Sequence, residues 1–528
     1  MADEVRPTIN YPVWTEYRKK NGLDPLGMQN SSVSLYQTFL PGISNVTLRM
    51  RYYGLYAWLC RAYAQKIGDT NPESWKRCIR RAEALYALIA YRHGREGGVA
   101  GIEWAQKILD SNLSGSIEFA QAAEPGSENY YLKQAWGAYG AAYRSQLFEI
   151  GIFDPSNDHE VPLPSKEIGE RLATVFEASV GELASLFYDI VQRGSVTDDE
   201  LHELRPLAPS EIALSGEERD LYQEILLGAS DATDGRAGAR RDSILLILKI
   251  AVLLGRAPNP EEVRWILFAG CDQKGRALDL GSPALKAQRQ LWWIYHANDL
   301  CHVAYETLLK FTLDTLADYP AGIALSRLIP LCVEKILMTV PVRPTHWTAF
   351  VDASMPASNS YAADDDGSEF SISTAIMRRA GRNDASVCAP EIAWNAVRLL
   401  AILHRRVRDE DRDIATVLGR FNPEAFHSLL TEARFLEAHR GETFEALLAR
   451  LLEERIVQRH LWVALQKLRA GDYTFLIERD EGKLRLRGKD GPVFTNPRLG
   501  PAITFLKDIH LIGDQGLTEY GAAAAGVA

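Results

Sequence analysis

SQLFEIGIFDPSNDHEVPLPSKEIGERLA, residues 145–173, and TFLKDIHLIGDQGLTEYGAAAA, residues 504–525, carry one pattern twice. Each begins as the end of an amphipathic helix. Each then takes an apolar step, Ile150-Gly151-Ile152-Phe153 in the first and Ile509-His510-Leu511-Ile512 in the second. A short polar excursion follows. Each closes on a hydroxyl residue just ahead of a glycine, Ser165 to Gly169 and Thr518 to Gly521, and runs into Ala-rich sequence. A hydroxyl in that place suits the start of a helix. Winged-helix modules read this way, and they bind DNA or other proteins. The predicted fold class is mainly α: a multi-domain helical protein with winged-helix-like modules and short β-hairpins.

The 528 residues exceed what one core usually serves. A composition 46% hydrophobic and 24% charged is that of an ordinary folded chain. The net charge of -10 argues against coating nucleic acid along the whole length, but leaves room for a local basic surface. Six scattered cysteines without a CxxC pair spell neither a zinc ribbon nor a redox pair. The strongest apolar run, Ser243 to Leu254, contains Lys249 and is too short to span a bilayer. The start, MADEVRPTINYPVW, does not read as a secretion signal. A cytoplasmic protein with no membrane partner is expected.

Helical periodicity dominates. Arg49 to Gln65, Trp75 to Tyr91 and Ala393 to Arg408 repeat apolar residues at three and four spacing. Asn71-Pro72 predicts a helix start. Helices are also predicted from Ile102, over Asn129 to Glu149, as a pair over Lys166 to Arg193, and between Ser243 and Leu337. The predicted domains are 1–175, ending in the first winged-helix-like module, a central helical domain 176–390, and 391–528, which carries the second. Flexible segments are expected near 228–241 and 355–367, where Gly, Asp and Ser accumulate.

The second module reads most clearly. Arg459 to Leu468 is a helix. Tyr473 to Arg479 and Lys483 to Arg487 alternate across Asp480-Glu481-Gly482 as a hairpin. Asn496 before Pro497 is placed to cap a last helix, Arg498 to Ile509. From Arg455 to Lys507 there are eleven basic and five acidic residues, +6 in a chain of -10. Arg485, Arg487 and Lys489 fall at period two on one strand face, which suits phosphates. Lys483, Arg485, Arg487, Lys489 and Arg498 are the candidate nucleic-acid contacts; a solvated hairpin face is the plainer alternative. The first copy has Asp154, Asp158, His159 and Glu160 at its tip, so it is expected to contact protein or pack internally.

Other constellations are weaker. His296, Asp299, His302 and Glu306 occupy one arc of roughly 120° on a helix at about 100° per residue. Such a stripe can supply metal ligands, or can be a polar seam in which Asp299 pairs a histidine. Glu481-Gly482-Lys483 matches half of a nuclease motif without its aspartate. His404-Arg405-Arg406 suits a helix C-terminus. Arg49, Arg51, Tyr52 and Tyr53 interleave as base-stacking residues do, or as core aromatics with paired arginines. No Walker A loop, dinucleotide fingerprint or nucleophile elbow is present, so no cofactor is expected and any ATP hydrolysis falls to a partner.

The block Leu40 to Trp58, with its Leu-x-Pro-Gly-x-Ser-x-x-Thr-x-Arg-x-Arg-Tyr-aromatic order, resembles the opening of an uncharacterised family of large bacterial proteins. The resemblance extends to Gly97-Gly98-Val99, to Lys133 through Tyr139 and to Ile150 through Phe153. It implies a gene of a bacterial defence island, encoded beside an ATPase, helicase or nuclease. It carries no catalytic residues over. The expected function is a non-catalytic accessory subunit of an anti-phage defence system that binds DNA, partner subunits, or both. The alternatives are a metal-dependent nuclease or hydrolase using the helix stripe, and a purely structural adaptor.

Overall fold

The doubled pattern folds as one joint made twice. In the first copy the helix Arg144–Glu149 ends with Gly151 at φ 83°; in the second, Leu499–Asp508 ends with His510 at φ 57°. The next N–H reaches back five residues in both, Ile152 to the Leu147 carbonyl (2.9 Å) and Leu511 to the Leu506 carbonyl (2.8 Å). This is a Schellman ending, which needs a left-handed residue. Ser165 and Thr518 then span the same gap. Each hydroxyl donates to the carbonyl of the left-handed residue, Gly151 (2.6 Å) or His510 (2.6 Å). Each accepts from the glycine N–H ahead, Gly169 (3.0 Å) or Gly521 (3.1 Å). The glycines lie flush against the apolar step. A Cβ on Gly169 would meet the Ile152 oxygen at 2.2 Å, and one on Gly521 the Leu511 oxygen at 2.0 Å. Between the helices lies a Phe153–Pro164 bridge in the first copy and a tiny hairpin in the second. Of the acidic tip, Asp158 and His159 lie outside the described residues.

The computed structural model describes residues 24–111, 115–156, 160–228, 235–382, 386–410, 413–422 and 426–526. The chain is mainly helical, as its periodicity predicts. Strands are short: β1 (Ser116–Glu118), β2 (Ser195–Thr197), β3 (Ile323–Ala324), β4 (Ile477–Asp480), β5 (Lys483–Leu486), β6 (Ile512–Gly513) and β7 (Gly516–Leu517). All pairings are antiparallel: β1 with β2, β3-β5-β4 in that order, and β6 with β7. The residues group into two compact units. One, the hairpin unit, comprises Met1–Ser31, Ala297–Pro356 and Ser371–Phe494; the other, the tyrosine-rich unit, comprises Ser32–His296, Ala357–Phe370 and Thr495–Ala528. Both copies of the joint belong to the tyrosine-rich unit, and the β4–β5 hairpin belongs to the other.

In the tyrosine-rich unit the helices Arg51–Lys66 and Pro72–Arg92 form the centre. Asn71 caps the second through its side chain, as predicted. Tyr52, Tyr56, Tyr86, Tyr139 and Tyr143 pack ring against ring around Glu83. Glu83 accepts from the Tyr56 hydroxyl and from the N–H groups of Ala138 and Tyr139. Burial still lifts its carboxyl to about 7. The Arg49/Arg51 cluster is internal. Arg51 grips Glu218 with two donors (3.0 and 3.1 Å) and also caps the Ala208 carbonyl. Arg49 pairs with Asp508 (3.1 Å) and Glu96 (2.9 Å). These aromatics and arginines are core.

Three local expectations change. Residues 129–136 are turns and bends, and the helix predicted from Asn129 begins only at 137–138, running into the π-helical turn Tyr139–Tyr143; Gly137, at φ 59°, lies against Glu83. Residues 235–241, read as linker, open the helix Gly235–Leu254. Buried Arg240 ties them down through the carbonyls of Ile225, Leu226 and Pro41; 229–234 lie outside the described residues. Residues 355–367 are irregular, yet Tyr361 is buried and stacks on Trp265.

Candidate functional site

The basic hairpin is held on the hairpin unit by three devices. Its turn places Glu481 at φ 49° and Gly482 at φ 77°, the paired left-handed geometry that matches strand twist. Its edge is covered by β3, with Ile323 opposite Leu484; Gly322 permits this, since a Cβ there would meet the Leu484 oxygen at 2.9 Å. Its first strand is fixed by His460 on the helix Arg459–Arg469. His460 Nδ1 lies 3.1 Å from the Pro25 carbonyl, and Nε2 accepts from the N–H groups of Leu476 (2.9 Å) and Ile477 (3.3 Å). That bonding requires a neutral ring. Burial, the largest effect, brings its pKa down to about 4, and nearby Lys467 lowers it too, against the Pro25 hydrogen bond.

Along β5 Lys483 is exposed and Leu484 buried, Arg485 and Leu486 are both half-buried, and Arg487, just past the strand, is exposed. The charges of Arg485, Arg487 and Lys489 are paired within the same unit. Arg485 pairs with Asp480 (3.0 Å), Arg487 with Glu478, and Lys489 with Asp314 (2.6 Å). The Arg485 and Arg487 pairs are solvent-exposed and contribute little to stability, but each cancels much of the field its arginine offers to a phosphate, whereas Lys489 shares the buried Asp314 carboxylate with Lys310. Lys483 and Arg479 are exposed and make no ion pair among the described residues. Arg498 is no surface contact. It is buried in the tyrosine-rich unit, donates to the Leu40 carbonyl (3.2 Å), and takes φ 66° as the residue before the helix Leu499–Asp508. Asn496 therefore does not cap that helix.

The His/carboxylate stripe lies on the 35-residue helix Pro283–Ala317. His296 belongs to the tyrosine-rich unit and packs edge-on against Trp265 (4.5 Å) and Phe268 (5.0 Å). Asp299, His302 and Glu306 belong to the hairpin unit and are fully buried. His302 Nδ1 is 3.3 Å from Asp299 Oδ1, and Nε2 is 3.0 Å from Glu306 Oε1, close enough to pair though poorly aligned for a hydrogen bond. Gln29 holds the same Glu306 oxygen (3.0 Å). Burial alone would strip the imidazole of its charge. Glu306 and Asp299 outweigh that and raise its pKa to about 10. A doubly protonated ring offers no lone pair to a metal. Among the described residues no group of three His, Cys, Asp or Glu side chains is placed to hold a metal ion. Within the hairpin unit the stripe is a buried polar seam in which His302 bridges two carboxylates, the structural alternative set beside the metal reading above.

Sequence reasoning passed over one exposed feature. The helix Arg459–Arg469 leaves Trp462 (41%), Leu465 (42%) and Leu468 (44%) open to solvent at a spacing of three. The signal was in RHLWVALQKL, whose apolar residues cover more than the single face a surface helix needs.

No protein family, curated protein or solved structure matches this chain. No helix of the described residues is long and apolar enough to cross a membrane.

Proposed function

We propose that this protein is a non-catalytic accessory subunit that works by docking onto a partner protein through the hairpin unit. The observation that carries this reading is the apolar face Trp462, Leu465 and Leu468 on the helix that runs into the hairpin. The order strand β3, helix Leu325–Leu337, then helix Arg459–Arg469 and hairpin, with sheet order β3-β5-β4, parallels a winged helix carrying a long insertion. In DNA-reading modules of that kind the exposed helix presents donors to bases and phosphates. Here it presents an indole and two leucines, which water solvates poorly and a protein surface covers well. Exposed Arg469, Arg479 and Lys483 favour a partner surface that is apolar with acidic groups around it. The resemblance of the N-terminal block supports an anti-phage defence setting, with an adjacent ATPase, helicase or nuclease supplying the chemistry.

Two measurements test the proposal. Co-elution with the ATPase, helicase or nuclease encoded beside it should be lost in a Trp462→Glu/Leu465→Glu variant that melts like the native protein. Fluorescence anisotropy with duplex and single-stranded DNA at 50–200 mM salt, about the range where phosphate contacts weaken steeply, should show no salt-dependent binding. Tight binding that Arg479→Ala/Lys483→Ala removes would replace the protein partner with DNA.

A further inference from the structure

We infer that the hairpin unit holds a binding site for a small amphiphile, an apolar body carrying one anionic head group that docks on Lys489. The site is a cleft of about 540 Å³ between the end of the helix Pro283–Ala317, the helix Leu325–Leu337 and residues 387–391. That volume falls in the range of about 300–1,000 Å³ usual for small-molecule sites. Phe311, Cys388, Ala389 and Pro390 help line it. Met338 and Val387 stand at its mouth 73% and 69% exposed, apolar side chains for which water is a poor neighbour.

The charge balance selects the head group. Asp314 is buried at the base of the cleft. Its Oδ2 takes Lys310 (2.8 Å) and the Cys388 N–H (2.9 Å), and its Oδ1 takes Lys489 (2.6 Å). Two ammonium groups thus share one carboxylate, a surplus of one positive charge. Burial pushes the Asp314 pKa up, but the Cys388 N–H and the two lysines outweigh it and hold the carboxyl below its ordinary range. The carboxylate is therefore committed. Lys310 is buried beside it, whereas Lys489 is 40% exposed and meets Asp314 as an ion pair rather than an aligned hydrogen bond. Its donors are the ones available to a ligand. Of the other charges lining the cleft, Lys335 is paired with Asp318 (3.4 Å), and the exposed Glu391 carboxylate makes no ion pair among the described residues, so the positive surplus is local to Lys310, Lys489 and Asp314 and not a property of the whole lining. A cation would meet the surplus charge; a carboxylate, sulfate or phosphate head would neutralise it. The apolar lining takes the body, at roughly fourfold in affinity per buried methylene.

Isothermal titration of the full chain with octanoate, decanoate, decanol and decylammonium, each below its micellar concentration, tests this. Decanoate should saturate a single site and bind about fifteenfold more tightly than octanoate, as two methylenes imply. Decanol and decylammonium should bind at least tenfold more weakly than decanoate. Val387→Asp, at an exposed position, should abolish decanoate binding without lowering the melting temperature. Lys489→Met should reduce decanoate to the affinity of decanol. The inference is overturned by decanoate binding that survives Val387→Asp, by decylammonium binding as well as decanoate, or by no saturable binding in the native chain. Co-flotation with phosphatidylglycerol vesicles without any binding of free decanoate would equally overturn it.

Discussion

Replacing His302 with alanine removes the positive charge between two buried carboxylates. Asp299 and Glu306 stay where they are, at 0% and 1% exposure, shielded from bulk solvent. Breaking a buried pair by deleting one partner typically costs about 3–5 kcal/mol. The titration of His302 gives a figure of the same size. Its pKa rises from 6.5 to about 10 on folding, and at about 1.4 kcal/mol per unit this amounts to about 5 kcal/mol. The sign follows from the raised value. The contribution is complete below pH 6.5 and is lost as pH climbs through about 10. Hydrogen exchange read by mass spectrometry on peptides from 297–317 is the suitable assay, because a chain with two compact units need not unfold in one step. In His302→Ala, protection there should fall by roughly two to three and a half orders of magnitude. Adding Asp299→Asn and Glu306→Gln should recover a large part of it, since no stranded charge remains. Protection within threefold of native in the single variant would refute the seam and reopen the role of His302 as a ligand.

Arg485→Ala and Arg487→Ala should each leave the melting temperature close to native, because exposed ion pairs contribute little to stability; a differential scanning fluorimetry shift of many degrees would show that the hairpin depends on them. Gly169→Ala and Gly521→Ala should each destabilise the tyrosine-rich unit by about 1–3 kcal/mol, because each Cβ falls about 2 Å from a carbonyl oxygen, whereas Gly97→Ala, with open space around it, should melt like native. Glu83 provides a pH prediction. Because its pKa is raised on folding from 4.5 to about 7, the folded state holds the proton longer, and stability should fall as pH rises across that window. A Glu83→Gln variant should flatten this part of the melting-temperature profile, and an unchanged slope would assign it to another group.

The helical class was legible because the apolar spacing of Arg51–Lys66, Pro72–Arg92 and Pro390–Asp409 is a property of the chain alone. The hairpin was legible for the same reason, with alternation on both sides of a Glu-Gly turn. The fate of its charges was not, since Asp314 lies 175 positions before Lys489 and no local pattern links them. Arg498 was misjudged for a related reason. Counting charge along a segment treats every arginine as solvated, and this one satisfies a backbone carbonyl in the core. Residues 235–241 carry linker composition, and only the tertiary partners of Arg240 explain why they are helical. The doubled pattern was visible as letters; its cause, a glycine pressed on a carbonyl, needs coordinates.

Along the chain, the tyrosine-rich unit draws its segments from both before and after the stretch 297–494, and this bears on how the protein is made. Arg49 receives Asp508, Leu40 receives Arg498, and the Asn45 side chain donates to the Asn496 carbonyl. The stretch 32–296 leaves the ribosome with none of these partners available. The 198 residues from 297 to 494 come next, and at about 5–20 residues per second they take roughly 10–40 s to synthesise. For that time a half-built core of tyrosines and arginines lacks its last helices. Synthesis in the cell therefore has a window in which a chaperone has something to hold, and slowing translation between codons 297 and 494 lengthens that window without altering a single residue.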